Sequence, residues 1–127
     1  MKKFIFMALS NPVPGLEHEF NEWYETVHLA DVIAVPGIVA AQRYQLADTQ
    51  VVGEGAAKSP VTGPEAATAS PWKYLAIYEF ETESALETFK DMMHRMETGI
   101  IGVPPLIHQE SLTGYLYEPL SARRVAG

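Results

Sequence analysis

The stretch Trp72-Lys73-Tyr74-Leu75-Ala76-Ile77-Tyr78-Glu79-Phe80 alternates with a period of two. Trp72, Tyr74, Tyr78 and Phe80 share one face with Ala76 between them, while Leu75 and Ile77 occupy the other. Both faces carry groups that gain by leaving water, so the segment reads as a strand covered from two sides. Downstream, Thr82 can cap a helix whose Glu83 suits the positive dipole end and whose Ala85, Leu86, Phe89, Met93 and Met96 keep helical spacing. Gly99, Gly102, Pro104 and Pro105 close that helix, Ile107 to Tyr117 reads as a further strand, and Pro119 onward reads as a tail carrying Arg123 and Arg124.

Upstream, the segment from Ala47 to about Ser70 holds Gly53, Gly55, Pro60, Gly63 and Pro64 among alanines and hydroxyl residues, a composition that packs no core. It reads as a long mobile loop at about 47–71, a lid or a disordered insertion. Ile38 to Leu46 reads as a strand containing Arg43 and Tyr44. Before it, Leu16, Phe20, Trp23, Tyr24, Val27 and Ala34 recur at three and four residues, predicting an amphipathic helix from Leu16 to about Ala34 that Pro36-Gly37 ends. Pro12, Pro14 and Gly15 turn the chain into that helix from a first strand, Lys3 to Ser10. Met1-Lys2-Lys3 followed by Phe4 to Leu9 imitates a secretory signal, but Ser10-Asn11-Pro12 cuts the apolar run short, and a buried strand accounts for it better.

The element order is therefore βαββαβ. Right-handed crossovers turn it into an α+β ferredoxin-like plait: a four-stranded antiparallel sheet with two helices on one face, in one domain spanning residues 1–127. Two helices leave the other sheet face bare, and the predicted aromatic patch there is too large for a monomer to leave in water. A symmetric homodimer with its sheets stacked face to face would bury it.

The 127 residues carry 9 Lys+Arg against 16 Asp+Glu, a net charge of −7. That sign disfavours nucleic acid and anionic membrane surfaces as partners, since both need a basic face. With no cysteine, disulfides, thiolate zinc sites, iron–sulfur clusters and cysteine nucleophiles are excluded. No stretch approaches the roughly 20 apolar residues of a membrane span. The expectation is a soluble, cytoplasmic protein whose partner is a small apolar molecule or another protein.

One residue breaks the helical pattern. At about 100° per residue from Phe20, Asp31 falls near 20°, on the apolar stripe, with His28 at its flank near 80°. An ionised Asp31 three residues away favours a protonated imidazole, which makes His28 and Asp31 a candidate general acid–base pair. The alternative is that the helix ends near Leu29, Asp31 turns to solvent and His28 merely faces the negative dipole end. Arg43 is either an outward charge or a clamp for a carboxylate or enolate. Tyr24, Tyr44, Tyr74 and Tyr78, like Trp23, are either packing aromatics or groups that touch a substrate. No coherent metal-ligand set exists: His18-Glu19-Phe20-Asn21-Glu22 lacks a second histidine, and His94 and His108 lie in other elements and read as structural. Met92, Met93 and Met96 read as core filling, and Gly53 to Ser59 lacks the glycine spacing of a phosphate loop.

The segment Trp23-Tyr24-Glu25-Thr26-Val27-His28-Leu29-Ala30-Asp31-Val32-Ile33-Ala34-Val35-Pro36-Gly37, followed by Ala41-Gln42-Arg43-Tyr44, resembles the EthD-like group of the dimeric α/β-barrel superfamily. Tyr74 to Phe80 fits that group's third strand. The resemblance implies a homodimer with stacked sheets and a pocket between helices and sheet in each subunit. It places the group's histidine on His28 and its aspartate on Asp31, with Trp23, Tyr24, Arg43 and Tyr44 as companions and Tyr78 as a further substrate contact. The chemistry implied is cofactor-free decarboxylation, dehydration, isomerisation or oxygenation of a small apolar ring or polyketide-like compound. The alternatives are a non-catalytic ligand-binding or stress-response module of the same fold, and haem chemistry with His28 as axial ligand.

Overall fold

The computed structural model describes residues 1–127. The first strand, β1, is Lys2–Ser10. One continuous helical run follows: α1 (Glu17–Trp23), a π-helical turn (Tyr24–His28) and α2 (Leu29–Ile33). Then come β2 (Ile38–Gln45), β3 (Thr49–Glu54), β4 (Ala57–Thr62), a 3-10 helix (Gly63–Thr68), β5 (Tyr74–Thr82), α3 (Ala85–Glu97), a 3-10 turn (Gln109–Ser111) and β6 (Thr113–Tyr117). The main sheet has the order β2-β5-β1-β6 with every pair antiparallel. This is an α+β architecture consistent with a ferredoxin-like fold. No helix is long and apolar enough to cross a membrane.

Strand alternation decides what each sheet face holds. In β5, Tyr74, Ala76, Tyr78 and Phe80 are buried and pack in one cluster with Phe20, Tyr24 and Val32 of the first helical run and Met92 of α3. Opposite them in register stand Ala8 across from Ala76 and Phe6 across from Tyr78. The aromatic row thus lies beneath the helices. The bare face holds a different set: Ile5, Met7 and Leu9 beside Leu75 and Ile77, flanked by Tyr44, Tyr115 and Tyr117. Tyr44, Tyr115 and Tyr117 are 44%, 53% and 54% exposed, so the open face is apolar, but as an aliphatic stripe with tyrosine edges rather than as an aromatic patch.

Three sequence expectations are corrected. The segment from 47 to 70, expected as a loop, forms the β3–β4 hairpin and a 3-10 helix. Its residues bury little beyond Ala66, but main-chain bonds between the strands and a two-residue turn opened by Gly55, at φ +55°, give it regular structure all the same. The cap of α3 is Ser84, whose hydroxyl accepts from the Glu87 amide at 3.2 Å, while Thr82 accepts the Ser84 amide one step earlier. The last strand begins at Thr113 rather than Ile107, which makes only an isolated bridge to Pro12.

Gly114 faces the Phe6 ring across β1 and β6. A methyl group built there would sit 2.5 Å from Phe6 Cζ, and that ring is wedged edge-on against Phe89 with centroids 5.1 Å apart. Gly114→Ala is therefore expected to destabilise the fold by about 1–3 kcal/mol through overpacking. Gly102→Ala, where nothing lies within 4 Å, is the control, and urea denaturation of both variants makes the comparison.

Candidate active site

The site is set by the π-helical turn. A turn containing one extra residue sets everything after it back by about 100° relative to a regular helix. His28, expected on the flank of the apolar stripe, rotates onto it and is only 7% exposed. Asp31 rotates off it and is half-buried, while Val32 takes the inward place at 2% exposure. Regular periodicity therefore points to the correct helix but sets Asp31 on the inward stripe, where the structure has Val32. Asp31 acts on His28 through space, and the imidazole Nδ1 has no hydrogen-bond partner.

Aromatic rings hold the imidazole. Trp23 stacks on it at 4.6 Å between centroids with planes 29° apart, and Tyr24 meets it edge-on at 4.9 Å. Nδ1 is sealed from solvent without a hydrogen-bond partner. Burial pushes the imidazole down to about 4; the Asp31 charge pulls the other way, and the Arg43 cation adds to the lowering. The ring is thus neutral at physiological pH, the reverse of the protonated state that an Asp31 partner would favour. An unpaired buried polar atom costs roughly 1–3 kcal/mol, so the fold carries this imidazole at the expense of stability.

A cavity of about 610 Å³ opens beside His28. Tyr24, His28 and Val32 line it from the first helical run, Phe6, Ala8 and Tyr78 from the sheet, and Met92, Met93 and Met96 from α3. Gln109, Thr113 and Gly114 close the side next to β6. No Asp, Glu, Lys or Arg reaches it. The Tyr78 hydroxyl donates to the Tyr24 hydroxyl at 3.4 Å, and burial raises the pKa of both above the ordinary tyrosine value. Met92 is buried in the core and Met96 packs against it, as read from the sequence, and with Met93 they also form cavity wall; helical spacing is the same in either role, so periodicity could not separate the two.

Of the residues singled out in the sequence, Trp23, Tyr24, His28 and Tyr78 meet at one site. Arg43 stands behind it: its guanidinium lies 4.4 Å from the Tyr24 ring centroid and is engaged by Asn21 Oδ1 at 2.8 Å and Glu25 Oε1 at 3.1 Å. Asn21 and Glu25 had no distinguishing pattern in sequence. Tyr44 lies on the open sheet face, away from the cavity, because strand alternation turns it opposite to Arg43. No three His, Asp or Glu side chains converge as a metal-ligand group.

The sealed imidazole gives a stability signature. An unfolded histidine titrates near 6.5 and the folded one at about 4, so between these values the unfolded chain binds more protons. Stability is complete above about pH 6.5 and falls as pH drops towards 4, by at most about 3 kcal/mol from this residue. Chemical denaturation at pH 7 and pH 5 should show a loss in the wild type that is smaller in His28→Gln. Histidine NMR titration should place His28 near 4, and lower still in Asp31→Asn.

No family model and no curated protein matches this chain. Two solved structures are similar to it. One, described as an ethyl tert-butyl ether d (ethd) family protein from Bacillus halodurans C-125, has 15% identity and a TM-score of 0.44, with 94% of this chain and 100% of that chain covered. The other, described as an ethd-like protein from Ralstonia eutropha JMP134, has 12% identity and a TM-score of 0.48, with 97% of each chain covered. Both carry the name of the group that the segment from Trp23 to Gly37 resembles.

Proposed function

We propose that the chain is an EthD-like, cofactor-independent enzyme in which His28 moves a proton on a small, largely apolar ring compound. The observation that carries this reading is a neutral imidazole in the wall of an apolar cavity large enough for a drug-sized ligand. With Nδ1 sealed, exchange of a proton with a ligand falls to Nε2. A group at about 4 is a weak base towards water, but a ligand that becomes anionic as it loses its proton stays beside the new imidazolium. In an interior of low dielectric that attraction is strong, and it raises the affinity of the imidazole for the proton at that step. Trp23 and Tyr24 fix the ring plane. Asp31 acts through space, favouring the imidazolium without touching it. Arg43 positions Tyr24 and does not itself meet the ligand. A non-catalytic module with a filled core would call for packed side chains where this cavity lies, whereas a ligand-binding module would keep the cavity and show no turnover.

The same reading includes a homodimer through the open sheet face. Ile5, Met7, Leu9, Leu75 and Ile77 form a stripe whose burial against a second copy would give a contact of the common size class, roughly 1,200–2,000 Å². The stripe is apolar in its middle, with Glu79 across from Ile5 and the Lys3–Glu81 ion pair beyond it at one end, and a twofold axis would bring two such stripes together in an isologous contact.

Two measurements test these statements. Once a turned-over compound is found by mass spectrometry across small cyclic ketones, phenols and aromatic acids, His28→Gln should lower kcat about 10²–10⁴-fold. The wild-type rate should be flat above pH 5 and fall below about 4 as the base is protonated. Full turnover in His28→Gln overturns the mechanism. By sedimentation, the wild type should be a dimer at micromolar concentration, and Ile77→Glu should weaken it by ~100-fold or more, since a carboxylate would be stranded in the contact. A monomeric wild type overturns the assembly.

A further inference from the structure

Two tyrosines of the cavity lining carry phenolic hydroxyls that proton transfer at His28 does not account for. Tyr24 and Tyr78 are 3% and 2% exposed, come from the helical run and the central strand, and meet hydroxyl to hydroxyl at 3.4 Å. We propose that this pair is an oxygen-recognition site, and that the ligand class is a neutral, enolisable aryl ketone. The inference rests on the reading of His28 as a base and deepens it by naming what the base acts on.

Only one proton can occupy the bond between two hydroxyls. Tyr78 donates into it, so the Tyr24 proton is the one that can turn, either to the Ser10 hydroxyl in hydrogen-bond contact beside it or to an acceptor brought into the cavity. Burial keeps both phenols protonated, so they offer donors and no charge. The Ser10 hydroxyl lies next to Tyr24 and partly offsets that burial, and the Arg43 cation behind the ring polarises the same hydroxyl towards donation. The ligand must therefore bring an acceptor oxygen. Because no charged side chain lines the cavity, an ionised carboxylate would enter unpaired, at high desolvation cost, and a neutral carbonyl would not. His28, edge-on to Tyr24, sets a proton acceptor next to the donor pair. That spacing suits a ketone whose acidic hydrogen sits on the neighbouring carbon. The C–H proton passes to His28 Nε2, the electron pair moves into the enolate, and the enolate oxygen is held by the tyrosine proton. Met92, Met93 and Met96 across the cavity are soft thioether surfaces that pack well on a flat ring.

The test uses 1-tetralone, its deoxygenated counterpart tetralin, and NMR titration of binding to the full chain. The wild type should bind 1-tetralone roughly fivefold or more tightly than tetralin, the preference expected of one new neutral hydrogen bond. Tyr24→Phe and Tyr78→Phe should each erode that preference while leaving tetralin affinity unchanged, which also shows that the cavity is intact. A preference that survives both substitutions overturns the pair, as does equal affinity of the wild type for the two compounds. Deuterium exchange at C2 of bound 1-tetralone in D₂O then separates the two readings. Ketone preference without exchange overturns the base and leaves the tyrosine pair standing. Exchange lost in His28→Gln, but accompanied by no ketone preference, overturns the pair alone. Absence of binding by either compound overturns both.

Discussion

An imidazole held neutral between two aromatic rings is the constraint on which the rest of the molecule depends. His28 reaches that position because one turn of its helix is a residue too wide, and the shift exchanges Asp31 for Val32 on the inward face. Had the helix been regular, a carboxylate would have stood beside the imidazole, and the pair would have been charged. As built, the cavity wall is apolar, its imidazole is uncharged, and the aspartate contributes only a field. The Trp23 stack and the Tyr24 edge contact then fix the ring plane that an unpaired Nδ1 cannot fix.

Charge is kept out of the cavity by being satisfied behind it. Arg43 could have entered as an anion clamp, but Asn21 and Glu25 take its donors and three aromatic rings take its faces. Its cation therefore acts through the Tyr24 ring. At the start of the same helix, Glu17 is tied to Lys73 at 2.5 Å and to the Tyr74 hydroxyl, which pins the helix to the central strand on the side away from the cavity. Tyrosine hydroxyls thus divide by position: Tyr74 anchors the helix, and Tyr24 and Tyr78 face the cavity.

The sheet, the two helical runs and their order were legible because alternation in β5 and three-and-four spacing in the helices are imposed by burial itself. His28, Tyr24, Trp23 and Tyr78 were legible as a group for the same reason, since each lies on a stripe that the core demands. What could not be read was anything that departs from a regular period. The π turn has no signature in residue type, so the position of Asp31 was extrapolated through it. The β3–β4 hairpin is held by main-chain bonds that composition does not record. Tyr44 was joined to Arg43 by adjacency along the chain, although adjacent strand residues necessarily point to opposite faces.

Strand alternation ties the two surfaces of the sheet together. In β1, Phe6 and Ala8 line the cavity while Met7, between them, lies on the open face; in β5, Tyr78 lines the cavity while Ile77 lies on the open face. A slip of one residue in either strand would exchange the two sets, putting methionine and isoleucine against His28 and phenylalanine and tyrosine outside. Gly114 opposes such a slip physically: Phe6 fills the space that any side chain at that position would need, which favours the register in which the glycine meets that ring. The shape of the cavity and the character of the open face are therefore set by the same strand pairings, and neither can change without the other.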